Sequence, residues 1–507
     1  MRQRQPPPTG TLRVSDRPGV RLGAALALIT GLCAPVAAQE PLSASDWLSG
    51  SLRGPARESS SWRPGERPPT SLRGAPGNPR PVASSGSVGR VHVTRLGEGD
   101  PDAAGTQTAR RAGLPDDLWQ GSDAATLAPL LSQTPARLPA MVALMERILT
   151  TQLPPPSPGA TRPGRLFLTR ADRLLDMGAL DRAQELLIAA GAGNPEIFRR
   201  LFDIALLEGD EARACDMMNS TPGIAPSFAA RIFCLAQTGD WAAAAISLHG
   251  AETMGLISTD QAELLTYFLD DAFVDASEVL EPADPVTPLD FRIYEAVGQP
   301  LPTAGLPVAF AQSDLRANNG WKARLEAAER LARLCAIPPQ RLRAVYAEQK
   351  PAASGGVWER AGAMRTLEAA LAAGDAAPAL PQAFAEFQKT GMAPALAAMV
   401  AQDLPEAGMA DARAAEIAGW LRQWQGLPVA TPVPADPALD SGATPPPASR
   451  KGEALLAAMA DIDAGMDGDL TRAGRGVAVL RGLGLTADAD LAATQLSLLP
   501  MMSGDPG

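Results

Sequence analysis

The pattern of apolar and polar positions along the chain changes near residue 113. From there to about residue 427, apolar residues recur at intervals of three and four, which is the period of an amphipathic α-helix. The first run has a helix-capping signal at Ser122 and Asp123, and a second run, RLPAMVALMERILTTQL, ends at a proline-rich stretch, residues 153–164. The pattern predicts an all-α domain over residues 113–427.

Three of the predicted turns between helices are regularly spaced. Their glycines, Gly178, Gly209 and Gly239, lie 31 and 30 residues apart. Five residues after each glycine stands an alanine and nine residues after it a large apolar residue, at the positions Ala183, Leu187, Ala214, Met218, Ala244 and Leu248. Glycine permits the tight turn that ends one helix, and the small residue lets the next helix approach closely. A degenerate fourth copy has Asp271, Ala276 and Leu280 at these offsets.

A helix pair of this kind cannot cover its own apolar face, so it must stack on copies of itself. Over residues 165–281 the small residues and the prolines Pro195 and Pro226 resemble the tetratricopeptide repeat in type and spacing. The aromatic residues usual in the first helix of that repeat are mostly missing, which leaves a more general helical-repeat family open. The resemblance implies a helical-hairpin repeat solenoid that binds peptides or proteins along one face.

Composition sets the boundaries on either side of this domain. Residues 39–112 are rich in Ser, Gly, Pro and Arg and poor in branched apolar residues, which predicts a disordered leader. Within it Trp47 and Leu48 stand in the polar stretch PLSASDWLSGSL, either as a short docking motif or as a chance apolar pair. Residues 428–450 are predicted to be a flexible linker, and residues 451–507 a C-terminal helical segment that caps the stack.

The first 38 residues have the organisation of an export signal. A region with five arginines precedes the apolar stretch LGAALALITGLCAPVAA, and small residues at its end place cleavage after Ala38. An uncleaved membrane anchor is the alternative, although Pro35 and the short apolar length disfavour it. No later segment is long and apolar enough to cross a bilayer, so the mature chain is predicted to be periplasmic or secreted.

Charge is divided unevenly along the chain. Residues 1–112 carry 15 arginines and eight acids, a balance of +7, so the remainder must carry −18 to give the total of −11. An acidic body repels phosphate, which excludes nucleic acid as an expected partner.

Three cysteines remain after the predicted cleavage. Cys215 falls in the second helix of one pair and Cys234 in the first helix of the next, so a shared turn brings them face to face. In an oxidising compartment we expect a disulfide between them, with two buried thiols as the alternative. Cys335 is expected to be a buried free thiol.

Catalytic motifs are not found. The stretch DIDAGMDGDLTRAG places Asp463, Asp467 and Gly468 at three positions of a calcium loop, but glycines stand at the third and twelfth positions, where ligands are required. Only two histidines occur, and complete nucleophile, phosphate-loop and dinucleotide motifs are absent from the sequence. We therefore expect no metal, no cofactor and no enzymatic activity.

The sequence thus predicts a non-enzymatic adaptor or assembly factor that binds an envelope protein or peptide. An envelope glycan-processing enzyme built on a helical scaffold and a purely structural envelope component remain alternatives. The stretches PLSASDWLSGSL and GLPDDLW also resemble, more loosely, uncharacterised exported envelope proteins of alphaproteobacteria. That resemblance implies export and no particular activity.

Overall fold

The computed structural model describes residues 47–48, 100–156, 163–191, 194–221, 223–270, 280–440 and 449–504. All of them belong to one compact unit, Pro41–Gly507. In these ranges the chain is mainly α-helical, and the one sheet is a short parallel pair of strands β1 (Gln107–Thr108) and β2 (Thr151–Gln152). The predicted all-α class is confirmed. The predicted export signal and its cleavage site at Ala38 lie outside the described residues.

Ordered structure begins earlier than the predicted boundary at residue 113. Residues 100–112 form a 3-10 helix (Pro101–Ala103), β1 and α1 (Ala109–Ala112). Arg170, which is fully buried, holds this segment by donating hydrogen bonds to the carbonyl oxygens of Ala104 and Thr151, each at 2.8 Å. Residues 100–112 are therefore ordered, although they fall within the predicted disordered leader. Ala109 and Ala112 are buried in the large hydrophobic cluster, and Asp102 accepts from the backbone amides of Gly164 and Phe167.

The next helices form the predicted hairpins. They are α2 (Ala124–Gln133), α3 (Pro139–Thr150), α4 (Arg165–Asp176), α5 (Leu180–Ala190), α6 (Pro195–Glu208), α7 (Glu211–Ser220), α8 (Phe228–Gln237), α9 (Trp241–Thr253) and α10 (Thr259–Leu269). From α4 to α10 each helix packs against its successor. Gly178, Gly209 and Gly239 lie in the turns of the pairs α4/α5, α6/α7 and α8/α9 with φ angles of 76°, 82° and 86°, which a side chain with a Cβ atom adopts only with strain.

The small and large apolar positions after these glycines are buried as the spacing predicts. The side chains in question are Ala183, Leu187, Ala214, Met218, Ala244 and Leu248. In the fourth copy Leu280 is buried, whereas Asp271 and Ala276 lie outside the described residues. The hairpin pattern read from the sequence therefore corresponds to three real helix pairs.

Helix α6 lies at the centre of the hairpins. Eleven consecutive residues, Ile197 to Leu207, are buried. Ile197 and Leu201 belong to a large hydrophobic cluster that extends to the C-terminus, while Phe198 and Phe202 belong to a second cluster shared with α7 to α11. A helix that is buried all round joins the two cores and fixes their relative position.

Beyond α10 the chain folds back on the hairpins. The remaining helices are α11 (Pro288–Ala296), α12 (Ala311–Asp314), α13 (Trp321–Arg333), α14 (Pro339–Ala347), α15 (Val357–Ala372), α16 (Leu380–Gln388), α17 (Ala393–Val400), α18 (Ala412–Trp424), α19 (Lys451–Asp463), α20 (Leu470–Gly482) and α21 (Thr486–Met502). Both α11 and α12 pack against α6, and α12 leads into α13. The described helices after α10 therefore do not extend the row of hairpins from α4 to α10.

The C-terminal helices close the helical unit. Helix α21 packs against both α18 and α3, and α19 packs against α2. The predicted linker is not free over its described part, because the 3-10 helix Pro437–Leu439 packs against α20 and the Gln423 side chain bonds both backbone polar groups of Val433. The C-terminal helices were expected to cap a linear stack. They pack instead against α2 and α3, the first long helices of the domain.

Candidate functional site

A cavity of about 690 Å³ opens among the helices that this closure brings together. Its walls come from α3, α5, the turn between α13 and α14, α17, and the end of α18. Most lining side chains are apolar, among them Val142, Ile337 and Leu342. A mostly apolar concavity of this size with a few polar groups is typical of a binding site.

The charged side chains of the cavity differ in how well they are paired. The Arg137 guanidinium group pairs with Asp463 (Nε–Oδ2, 2.7 Å) and with Asp467 (Nη2–Oδ2, 2.6 Å). Arg182 Nη1 lies 3.9 Å from Glu185 Oε2. The carboxylate of Glu146 on α3 makes no hydrogen bond or close ion pair with another described side chain. Burial raises the pKa of Glu146, and the positive charge of Arg182 only partly opposes this rise. Glu146 is therefore an acceptor that a ligand donor could satisfy.

A second polar group on the cavity wall is the exposed side-chain amide of Gln425, next to the buried ring of Trp424. The ring is 1% exposed, and its Nε1 atom has no hydrogen-bond acceptor within the described ranges. A buried donor without a partner costs roughly 1–3 kcal/mol. Because this Nε1 atom is also closed to solvent, it does not face the cavity. Glu146 and the Gln425 amide therefore offer an acceptor and a donor beside an apolar surface, which is the combination that a polypeptide backbone with apolar side chains can satisfy.

Cys335 also lines the cavity, in the turn between α13 and α14. It is a free thiol, and the residue is half-buried, whereas the sequence predicted full burial. Its φ angle of 57° is left-handed, so a cysteine stands where the earlier hairpins have glycine. Burial, with a smaller contribution from the charge of Glu146, raises the pKa of the thiol to about 12.

This pKa predicts slow alkylation of Cys335. The ordinary pKa of a cysteine thiol is 9.0. At pH 8 the thiolate fraction of Cys335 is therefore roughly 10³-fold lower than that of an ordinary thiol, and its reaction with iodoacetamide should be slower to a similar degree. Mass spectrometry would measure the rate of alkylation on the non-reduced chain that starts at Gln39. The same chain in denaturant is the control. Equal rates in the folded and denatured chain would contradict the burial of this thiol.

The other two cysteines occupy the predicted positions on neighbouring hairpins. Cys215 on α7 and Cys234 on α8 are at disulfide distance, with their Cα atoms 5.2 Å apart. Both residues are fully buried. The predicted pairing is therefore supported by geometry, and it joins the second hairpin to the third well away from the cavity-lining residues.

The stretch that resembles a calcium loop, residues 461–474, forms a contact with the segment before α3. The backbone amide of Arg137 donates to Asp463 at 2.8 Å, and the guanidinium group of Arg137 bonds Asp463 and Asp467. These carboxylates therefore fasten the segment before α3 to the end of α19. Within the described residues no group of three or more His, Cys, Asp or Glu side chains is arranged to hold a metal ion.

A second surface feature lies on α9. The sequence from Trp241 to Ala251 contains no residue that is charged at neutral pH, yet Trp241 and Ile246 are exposed by 50% and 75%. Met254 and Leu256 continue this exposed apolar patch past the helix end. Large exposed apolar residues in one region are typical of contact surfaces.

Sequence reasoning missed the cavity. Glu146 on α3, Arg182 on α5 and Cys335 in the turn after α13 come from separate elements, and none of them belongs to a recognisable motif. Only the closure of the chain by α21 against α3 brings these walls together.

None of the helices in the described ranges combines the length and apolarity needed to cross a membrane. No protein-family model, curated protein or solved structure matches this chain, so its fold and the cavity carry the functional argument alone.

Proposed function

We propose that this chain is an exported, non-enzymatic helical-repeat protein that binds a segment of an envelope protein or peptide in the cavity between α3, α5 and α14. The cavity carries the proposal, because it has the volume of a binding site and combines an apolar lining with accessible polar side chains, Glu146 and Gln425. Export rests on the N-terminal sequence, and the cysteine pair at disulfide distance fits an oxidising compartment.

The chemistry of the lining supports a peptide ligand. The backbone N–H groups of an extended peptide can donate to Glu146, and its carbonyl oxygens can accept from the Gln425 side-chain amide. Its apolar side chains can pack against the remaining wall. The paired arginines Arg137 and Arg182 keep the net charge of the walls low, since each lies beside a carboxylate. Recognition would therefore depend on hydrogen bonds and apolar contacts more than on ligand charge.

A crosslinking experiment tests this assignment. A benzophenone-bearing amino acid at Ala143, an exposed position on the cavity wall, should capture one discrete partner from envelope extracts after illumination. The matched control places the same group at Ala212, which is exposed on α7 and does not line the cavity. Capture of the same species from both positions, or of none from Ala143, would contradict the cavity as the binding site.

The enzymatic alternative has its own test. The purified mature chain should leave peptidoglycan uncleaved over a prolonged incubation. Release of soluble glycan fragments that is lost when Glu146 is changed to Gln would show a catalytic carboxylate in the cavity and would overturn the proposal of a pure binding protein.

A further inference from the structure

A second binding site lies where the N-terminal part of the chain meets the helical unit. Trp47 is 6% exposed and Leu48 is 4% exposed, and both belong to the large hydrophobic cluster. The indole Nε1 of Trp47 donates to Asp176 Oδ1 at 3.2 Å, and its ring packs edge-on to Phe310 with 5.6 Å between centroids. Trp47 therefore has an apolar base and one specific polar partner.

The helical unit supplies the aromatic base of this site by itself. Phe310 is fully buried and packs against Phe291 of α11 with 5.3 Å between ring centroids. Asp176 is the last residue of α4, one of the regular hairpin helices. Because these three residues belong to the folded helices, the pocket does not depend on the N-terminal segment for its framework.

The occupant has the features of a short recognition motif. Trp47 and Leu48 are the apolar pair at the centre of the polar sequence SASDWLSGS, and 51 residues separate Leu48 from Asp100, where the continuous described chain begins. A buried tryptophan with its indole N–H bonded is the usual anchor residue of a protein contact. A long connection costs little more entropy than a short one, so it allows such an anchor to dock and leave as a unit.

We propose that the pocket formed by Asp176, Phe291 and Phe310 is a docking site for a tryptophan–leucine peptide motif, and that Trp47 and Leu48 of the same chain are its resident, exchangeable occupant. The motif holds the N-terminal segment to the helical unit as a tethered ligand. This site is separate from the cavity and does not rest on the function proposed for it.

The test is competition between the tethered motif and a free peptide. A fluorescent peptide of residues 41–52 is titrated against the full chain and against its Trp47→Ala variant, and binding is followed by polarisation. Tethering gives the resident motif an effective concentration near the millimolar range, so the peptide should bind the variant at least about tenfold more tightly than the wild type. A chain carrying Trp62→Ala, a tryptophan of the same N-terminal region, is the matched control and should behave as wild type.

The possible outcomes separate the proposal from its competitors. Failure of the peptide to bind either chain, or equal binding to both, would overturn it. A peptide with alanine in place of tryptophan should not bind. Light scattering shows whether the motif in the pocket comes from the same chain or from a second copy. If the wild type is a dimer and Trp47→Ala is a monomer, the motif comes from a second copy, and the same-chain assignment is overturned.

A second experiment covers the case in which Trp47→Ala fails to fold. A protease site is inserted within residues 60–90 of the otherwise unchanged chain, and the connection is cut after folding. The released N-terminal fragment should dissociate on dilution and leave the helical circular dichroism of the remainder intact. Unfolding of the helices when the fragment leaves would show that Trp47 is an integral core residue and would refute an exchangeable motif.

Discussion

Replacing Asp172 by alanine is expected to lower the free energy of unfolding by about 3–5 kcal/mol, because the change leaves Arg200 as a buried charge without its main partner. Asp172 on α4 and Arg200 on α6 are 2% and 0% exposed, and the Nη2–Oδ2 distance between them is 2.8 Å. The pair joins the first helices of two consecutive hairpins. Chemical denaturation followed by circular dichroism would measure the loss.

The control for this prediction replaces both members of the pair. In the double variant Asp172→Leu and Arg200→Met no charge is left uncompensated, so most of the lost stability should return. Arg200 Nη1 also lies 3.2 Å from Glu196 Oε2 on the same helix, and this contact remains in the single variant. A single variant as stable as wild type would mean that the other contacts of Arg200, including the one with Glu196, compensate the guanidinium group. The link between α4 and α6 would then not be needed to hold the hairpins together.

Reduction of the Cys215–Cys234 bridge is expected to cost about 3 kcal/mol of stability, since the bridge closes a loop between residues 19 apart in sequence and restricts the unfolded chain. The denaturation midpoint of the mature chain should fall when dithiothreitol is added. The double variant Cys215→Ala and Cys234→Ala should then show no further response to the reductant.

The free cysteine supplies the matched control for the bridge. A Cys335→Ala chain retains the pair and should lose the same stability on reduction as wild type. An identical midpoint with and without reductant in the wild-type chain would show that the two thiols lie close together without being bonded, which is the alternative that the sequence left open.

The parts of the fold that the sequence predicts well are those with local causes. The turn glycines, the alanines five residues later and the cysteines on adjacent hairpins all depend on neighbours within about one repeat. Gly209, for example, ends α6 with a φ angle of 82°, as its position between two apolar runs predicts. Local spacing is enough to identify such a turn because glycine accepts left-handed geometry without strain.

The parts that the sequence did not predict have distant causes. Residues 100–112 are held partly by Arg170, which donates to the carbonyl oxygens of Asp102 and Ala104 and is invisible in a composition profile. The turn after α13 uses Cys335 at a left-handed position, so no glycine marks it. The contact of α21 with α3 joins segments more than 300 residues apart. No periodicity in the chain reports such a closure.

In the predicted leader, residues 39–112, local composition and distant contacts also have different consequences. Its low content of branched apolar residues predicts disorder, but the position of Trp47 depends on whether a complementary pocket exists elsewhere in the chain. That pocket combines the end of α4 with Phe310, which lies 134 residues further along the chain than Asp176. The two interpretations of the pair, docking motif or chance, could not be separated before the fold was known.

Binding of a polypeptide segment in the cavity is tested by the dissociation constant of the crosslinked partner segment. It is measured for three chains: wild type, Ala143→Trp and Ala212→Trp. The indole at Ala143 should fill part of the cavity and weaken binding at least about 100-fold, equivalent to roughly 2.7 kcal/mol, while the same change on α7 leaves affinity unaltered. Equal affinities for all three folded chains would place the partner elsewhere and contradict the account.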